Sequence, residues 1–481
     1  MEDTKPTTKR GPIRAILALL GPGLFLIGYN IGTGSVTTMA KSGADYGMEL
    51  MWVVLLSCVF VFIGIVLFGR YTLATGETVL YAIKTHLPFG KPLSWLVMAT
   101  VILGEFAGVA GMMALMVDIL NEWIGNYCGL NFVFETKIMT ITLPHVITLV
   151  ISAILFLILW NGAYSFLESF LAVLVAAMGF CFVLTAIKLA PSIWDILSGL
   201  AFQIPEPKPK PGEMPPNTSM LIAGMAGTTF SVAMLYCRSI TLKAKGWGPE
   251  KGRNAWIDGM VSAVSMFILS VAVMACAAGT LHLEGKSVKD TVDMVQALEP
   301  MPLVGDFAFT LFMIGIVGAG VSSFIPTILI APWLISDYRG EKIHPKSTAS
   351  RIFVIAGILF GMAGPFLNGK EIFGHEINLK PVELMIVSMA LLAIIVPISM
   401  IVITVLLNQK RLGKYRNGWL LNVAAAAAIV FSAIMCCHGI VGVADEIEKV
   451  IHPKEEKAES AQLEPVSPDV QKNPVDPVHS V

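Results

Sequence analysis

Long apolar runs separated by short polar segments fill the chain from about residue 13 to residue 444. A helix needs about 20 mostly apolar residues to cross a bilayer, and in lipid it satisfies its own backbone groups. The pattern therefore predicts an all-α integral membrane protein with eleven transmembrane helices. The predicted spans are 13–43, 48–73, 93–121, 138–160, 165–189, 219–243, 254–281, 303–336, 348–368, 381–408 and 417–444.

The segments between the spans predict the orientation. Lysine and arginine are concentrated at the N-terminus and in every second connection, which predicts a cytoplasmic N-terminus and an outer C-terminus. The proline-rich stretch within 190–218 is predicted to be an extended outer loop. The tail after about residue 444 is charged and proline-rich without an apolar period, so we expect it to be disordered.

Composition excludes several classes of protein. Charged residues make up 14% of the chain, whereas soluble domains carry about 25%. Six of the seven cysteines lie in apolar runs and there is no CxxC pair, so neither a disulfide framework nor a cysteine metal site is predicted. The basic residues form no patch suited to nucleic acid, and no cofactor is predicted. The absence of HExxH, GxSxG and paired catalytic acids argues against an enzyme.

Small residues interrupt two spans at corresponding positions in the two halves of the chain. Either cluster alone is compatible with close helix packing, but such a pair is typical of the midplane binding site of a secondary transporter. We expect helices one and six to unwind near 32–35 and 227–231 and to face each other across a polar site. The candidate substrate-binding residues are Asn30, Gly32, Thr33, Gly34, Ser35, Thr228 and Ser231.

Several motifs resemble those of the Nramp family of divalent metal transporters. They are GPG and SGADYGMELMW around the first break, GEFAGVAGMMAL, YSFLESF, NAWIDGMVSA and GAGVSSFIPTILIAPWLISDYRG. The resemblance covers most of residues 15–415. It implies the inverted-repeat fold of the leucine-transporter superfamily and secondary active transport of a metal cation. The implied parts are a cytoplasmic N-terminus (1–12), two five-helix repeats (13–189 and 219–408) joined by the outer loop (190–218), an eleventh helix (417–444) and a tail (445–481).

The residues that hold the metal in this family are replaced here. The replacements are Gly32 and Ser35 for the first-break aspartate and asparagine, Ser231 for the sixth-span methionine, Ala233 and Arg238 for two histidines, and Ile102 for the third-span aspartate. The remaining hydroxyls and glycines carry no formal negative charge, and an uncompensated divalent cation is heavily penalised in a low-dielectric interior. No cluster of methionines is expected at the site either.

These departures leave the substrate open. They predict a site unsuited to Mn²⁺ or Fe²⁺, with no metal ligands assigned, although a largely hydrated metal remains compatible with it. Glycines and hydroxyls at the N-terminus of a half-helix suit a carboxylate, so a small anionic or polar organic solute is the alternative. A membrane sensor that binds without transporting is a further one. The expected partners are a small solute or ion and the lipid bilayer of the bacterial inner membrane.

Glu105, Arg238 and Glu383 are the candidate coupling or vestibule residues. A charge at the centre of a span costs about 2.5–3.5 kcal/mol, so Glu105 should face the bundle interior, for ion or proton coupling or as a structural anchor. Arg238 either attracts anions in the inner vestibule or extends to the interface. Glu383 either reaches the vestibule or caps the tenth helix. The losses at Gly32 and Ile102 predict weak proton coupling, and the coupling ion is left open.

Overall fold

The computed structural model describes residues 32–130, 133–135, 140–161, 179–189, 193–206, 216–296, 308–341, 347–368, 370–372, 375–377 and 380–451. Within these residues, nine helical segments are long and apolar enough to cross a membrane. They correspond to nine of the predicted spans. The first span is described only from residue 32 onward, and the fifth only over an apolar helix, Gly179–Leu189.

Sixteen α-helices in the described part account for most of the architecture. In chain order they are α1 (Thr33–Tyr46), α2 (Met51–Thr75), α3 (Val79–His86), α4 (Gly90–Cys128), α5 (Leu143–Asn161), α6 (Gly179–Leu189), α7 (Ile193–Ser198), α8 (Thr218–Thr229), α9 (Val232–Ala244), α10 (Gly252–Ala277), α11 (Asp293–Gln296), α12 (Ala308–Arg339), α13 (Thr348–Leu367), α14 (Pro381–Ile394), α15 (Val396–Leu407) and α16 (Trp419–Ile451). Two antiparallel hairpins lie between spans: β1 (Val133–Glu135) with β2 (Thr140–Thr142), and β3 (Lys370–Ile372) with β4 (His375–Ile377).

Local sequence signals set several helix ends. The Asn217 side chain accepts a hydrogen bond of 2.9 Å from the Met220 amide and so caps α8. Ser347 caps α13 in the same way, because its hydroxyl accepts from the Ser350 amide at 3.2 Å. Gly76 and Gly129 follow α2 and α4 in the left-handed conformation, which glycine adopts without steric cost. These caps satisfy backbone groups that a helix end leaves unpaired.

The structure differs from the predicted segments in several places. The third span is longer than 93–121, since the chain reaches no helix-ending residue before Gly129. The last helix continues to Ile451, past the predicted end at 444, because the polar residues that follow are mostly good helix formers. The predicted outer loop contains the short helix α7. The tail beyond 451 and the N-terminal segment 1–12 lie outside the described residues.

Glycines bring the sixth and tenth spans into close backbone contact. A Cβ atom at Gly227 on α8 would lie 1.9 Å from the carbonyl oxygen of Met389 on α14. At Gly224, one turn earlier on α8, it would lie 3.0 Å from the Cγ2 atom of Ile386. Only glycine permits so close an approach, which is the usual role of small residues between membrane helices. The contact places the end of α8 directly against the side chains of α14.

We expect the Gly227→Ala variant to lower the free energy of unfolding by about 1–3 kcal/mol, because its methyl group must push α8 away from α14. Unfolding in mixed SDS micelles measures the change. Gly125→Ala on α4 is the matched control: its Cβ would meet nothing within 4 Å, so it should be neutral or stabilising by about 0.4–1 kcal/mol. Equal behaviour of the two variants would refute the close approach.

Candidate functional site

The sixth span is interrupted where α8 ends and α9 begins. Phe230 (φ −97°, ψ 53°) and Ser231 (φ −69°, ψ 126°) have non-helical backbone angles between the two helices. The predicted interruption is therefore present, but Gly227 and Thr228 remain helical, so it is shorter than 227–231. A break of this kind frees backbone groups near the middle of a span, where a ligand can use them.

The described part of the first span begins close to this interruption of the sixth span. Gly32 is extended (φ −105°, ψ −173°), and α1 starts at the next residue, Thr33. Residues 33–35 are therefore helical, whereas we expected them to be unwound; Asn30 lies outside the described residues. Gly32, the residue before α1, has no side chain that could cap it. The first and sixth spans meet where the Ser35 and Thr228 hydroxyls lie 2.9 Å apart.

A small cavity of about 30 Å³ lies between α1, α4, the break, α12 and α14. One water-sized occupant needs about 10–15 Å³, so the cavity has room for roughly two. Its polar wall consists of Gly32, Gly34, Ser35, Glu105, Gly227, Thr228, Ser231, Ser323 and Thr327. Its apolar wall consists of Met112, Met385, Met389 and Leu392. The structure thus brings together five of the seven substrate-site residues predicted from the sequence.

Two hydroxyl groups in this wall are unsatisfied. The Oγ atoms of Ser231 and Ser323 are buried and have no hydrogen-bond partner among the described residues. Leaving a buried hydroxyl unpaired costs about 1–3 kcal/mol, and both residues border the cavity. A ligand or a water molecule in the cavity would satisfy them. The wall therefore suits a ligand that accepts hydrogen bonds from these hydroxyl groups, or a cation that their oxygen atoms coordinate.

Glu105 brings a carboxyl group into the same cavity. It lies on α4, is only 2% exposed and borders the space next to the interrupted span. The predicted orientation of Glu105 toward the bundle interior is confirmed. The substrate-site residues predicted from the sequence include no carboxyl group, but the structure adds that of Glu105, because the third span packs its Glu105 face against the break. The sequence predicts Glu105 as a candidate coupling residue and not as part of the substrate site. The position of a residue in one span does not reveal which other span lies opposite it.

Three methionine side chains, those of Met112, Met385 and Met389, line the opposite wall. A Cβ at Gly34 would lie 3.1 Å from the Sδ atom of Met389, and a Cβ at Gly111 would lie 3.2 Å from that of Met385. The expectation of no methionine cluster is wrong. Residues four apart on a helix share a face, as do residues seven apart. The spacing indicates that Met385 and Met389 share a face of α14 and that Glu105 and Met112 share a face of α4, but not that the two faces meet at one cavity.

Arg238 and Glu383 lie outside the cavity wall. The Arg238 side chain is buried and donates to Asp258 Oδ2 at 2.5 Å and to the Ala255 carbonyl at 2.7 Å. The expectation that Arg238 extends to the interface is therefore wrong, whereas its role as a vestibule residue remains a prediction. Glu383 lies in the first turn of α14, where it is half-exposed and paired with Lys380 at 3.1 Å. Its position fits a helix-terminal role.

The donor set of the cavity limits its chemistry. In the part of the chain that the structure describes, no three His, Cys, Asp or Glu side chains are grouped so as to hold a metal ion. One carboxyl group, several hydroxyls and three thioethers form a weaker site than a set of carboxylates. Such a wall suits a cation that keeps part of its water shell. A substrate that carries a carboxylate would instead lie beside Glu105 and be repelled by it.

Comparisons with known proteins agree with this architecture. The family model "Nramp: Natural resistance-associated macrophage protein-like" matches residues 23–442. The divalent metal cation transporter MntH of Bradyrhizobium diazoefficiens is 26% identical over 435 residues, covering 88% of each chain. The protein of the same name from Brucella suis is 24% identical over 436 residues, covering 87% of this chain and 86% of its own.

Solved structures show the same fold at low sequence identity. The manganese transporter of Eremococcus coleocola, in complex with an aromatic bis-isothiourea substituted compound, has a TM-score of 0.66 at 13% identity, covering 96% of this chain and 94% of its own. A nucleobase-cation-symport-1 family transporter in a closed conformation has a TM-score of 0.53 at 15% identity, covering 92% and 96%. The predicted fold class, an all-α membrane protein with leucine-transporter-like inverted repeats, is confirmed.

Proposed function

Because the chain belongs to the Nramp family, we propose that it is a secondary active transporter of a divalent metal ion. The names of its relatives support this: divalent metal cation transporter for MntH, and manganese transporter for the Eremococcus coleocola protein. The ion would bind in the cavity beside the interrupted sixth span. Alternating access would then carry it past α8 and α9, as in other transporters whose site lies at such a break.

One observation carries the proposal: a carboxyl group, two unsatisfied hydroxyls and three thioethers line one small cavity. Glu105 supplies the negative charge that offsets part of the cost of bringing a divalent ion into the membrane. Ser231 and Ser323 supply oxygen ligands without a competing partner among the described residues. The cavity has room for the ion together with about one water molecule, which fits a partly hydrated substrate.

The donor types favour a transition metal over Mg²⁺ or Ca²⁺. Thioethers are soft ligands that the hard alkaline-earth ions avoid, whereas first-row transition metals accept them. Unsuitability for Mn²⁺ or Fe²⁺ was expected because neither charge nor sulfur was visible at the site. Glu105 places a carboxyl group in the cavity wall and Met389 a thioether side chain, so neither reason applies to the site as proposed here. We therefore propose Mn²⁺ or a similar ion as the substrate class.

The alternatives fit the geometry less well. A small anionic solute would bind next to Glu105 and could not use Arg238, whose guanidinium group is paired with Asp258. A sensor would need the same occupied cavity but no flux across the membrane, so a transport assay separates it from a transporter. We further propose the inner membrane of a bacterium as the location, since the relatives named above are bacterial.

Purified protein in liposomes tests both the function and the thioether wall. We expect saturable Mn²⁺ uptake that exceeds Ca²⁺ uptake. In Met389→Leu, which keeps the volume but removes the sulfur, the preference for Mn²⁺ should fall by about tenfold. Met400→Leu is the matched control, since Met400 is fully buried on α15 outside the cavity. Uptake of small carboxylates without any divalent metal would refute the proposal, and metal binding without flux would indicate a sensor.

A further inference from the structure

A second, larger cavity is separate from the substrate cavity and is bordered by Arg238. It has a volume of about 220 Å³ and is formed by α2, the start of α10 and the segment before α16. It shares no lining residue with the substrate cavity. Arg70 and Arg238 border it together with apolar residues of α2. Its position coincides with the connections that the distribution of lysine and arginine predicts to be cytoplasmic.

The buried guanidinium group of Arg238 borders this cavity with one unused donor. Its Nη1 and Nη2 atoms bond to Asp258 and Ala255, but the buried Nε group has no acceptor among the described residues. A Cβ at Gly69, which also lines the cavity, would lie 3.9 Å from this Nε atom. An unpaired donor of a charged group in a buried position is strongly unfavourable, so an acceptor is expected there.

Arg70 supplies a second guanidinium group to the same space. Its Nε and Nη2 atoms donate to the carbonyl oxygens of Tyr415 and Arg416 at 3.0 Å and 3.2 Å. These bonds fix the side chain over the cavity and use uncharged acceptors, so the charge of Arg70 is not neutralised by them. Arg238 is balanced by Asp258. The cavity therefore carries an excess positive charge together with one unpaired donor.

Apolar side chains form most of the rest of the cavity wall. Ile65, Val66 and Leu73 of α2 line it, and Trp256 lies at its edge. Trp256 is 46% exposed, and its ring packs edge-on against Phe62 at 5.5 Å. Tryptophan is enriched at the membrane–water interface, where an apolar ring meets polar headgroups. A ligand that matches both the two arginines and the apolar wall has an anionic group and a hydrocarbon chain.

We propose that this cavity binds an anionic phospholipid. Its phosphate group would lie at Arg70 and at the Nε group of Arg238, and the part of an acyl chain nearest the headgroup would lie along α2. Phosphate diesters accept several hydrogen bonds from guanidinium groups. Basic pockets between membrane helices at the cytoplasmic side are suited to anionic headgroups. A free phosphate ion would satisfy the arginines but would leave the apolar wall and Trp256 unused.

Native mass spectrometry of the full chain in detergent tests this site. The protein is titrated with phosphatidylglycerol, with phosphatidylcholine and, separately, with inorganic phosphate. Two variants address the two halves of the site. Arg70→Gln removes the unbalanced charge, and Gly252→Phe fills the cavity, since a Cβ at Gly252 would meet nothing within 4 Å and its backbone is helical. Arg253→Gln, an exposed arginine of the same helix that does not line the cavity, is the control.

We expect the wild type and the Arg253 control to retain one phosphatidylglycerol in preference to phosphatidylcholine. Arg70→Gln should weaken that binding by about fivefold, the factor that corresponds to about 1 kcal/mol for one arginine near a lipid surface. Gly252→Phe should weaken it as well, because the phenyl ring occupies the cavity. Equal lipid retention by all four proteins would overturn the proposal. Displacement of the lipid by millimolar inorganic phosphate would overturn it in favour of a free-anion site. Gly252→Phe keeps both arginines, so a folding failure of one variant leaves the other as the test.

Discussion

The Arg238→Ala variant is expected to lose about 3–5 kcal/mol of stability, which is the usual result of removing one partner of a buried ion pair. Arg238 is fully buried, and its guanidinium group bonds to Asp258 at 2.5 Å and to the Ala255 carbonyl. Without it the Asp258 carboxylate, also buried, would have to be protonated or left uncompensated. Unfolding in mixed SDS micelles and the yield of folded protein measure the loss.

Two further variants separate the ion pair from simple packing. The double variant Arg238→Met/Asp258→Leu should recover most of the lost stability, because replacing both charges by apolar groups is often neutral or stabilising. Arg253→Ala, a nearby exposed arginine, should change the stability by less than about 0.5 kcal/mol. If the double variant were as unstable as the single one, the shape of the Arg238 side chain would matter more than its charge, contrary to this account.

The fold was largely predictable because the membrane imposes it. Apolar length predicts a spanning helix without any knowledge of its neighbours, and each of the nine candidate spans in the described residues overlaps one predicted segment. Their ends were less predictable: α4 extends to Cys128 and α16 to Ile451, since helices continue past the membrane wherever nothing stops them. The glycine-rich interruption of the sixth span gave the position of the break to within a few residues.

The composition of the site was less predictable, for a geometric reason. Ser35, Thr228 and Ser231 could be found because they lie in clusters of small residues near the ends of interrupted helices. Glu105 and Met389 belong to uninterrupted helices, and their place in the cavity depends on which faces of α4 and α14 turn toward the break. Sequence spacing gives the residues that share a face of one helix. It does not give the partner of that face.

Arg238 illustrates the same limit. Its position near the end of a helix suggested an arginine that extends to the membrane interface, the usual place for such a side chain. The structure pairs it with Asp258, twenty residues later in the next span. Either residue alone has a plausible surface role, and they become partners only because α9 and α10 both pack against α2. A buried ion pair between neighbouring spans is therefore visible in the sequence only as two intramembrane charges of opposite sign.

The Glu105→Gln variant is expected to lose more than about 100-fold in metal affinity. The change is nearly isosteric, so the cavity keeps its shape while its formal charge is removed. Changes in the outer shell of a metal site already cost about 10–100-fold, and Glu105 is the carboxyl group in the wall itself. Calorimetric titration with Mn²⁺ on purified protein measures the affinity. Glu122→Gln, a half-buried glutamate on the same helix outside the cavity, is the matched control.

The pH dependence of the same titration distinguishes a ligand from a structural anchor. A carboxylate binds metal only when deprotonated, so protons and Mn²⁺ compete for Glu105. Wild-type affinity should therefore rise with pH until Glu105 is fully ionised, and fall as the pH is lowered. In Glu105→Gln this dependence should disappear, whereas the Glu122 variant should retain it. If the Gln variant bound Mn²⁺ as tightly as the wild type with the same pH profile, Glu105 would only anchor the helix. The hydroxyls and thioethers would then have to hold the metal without a carboxylate.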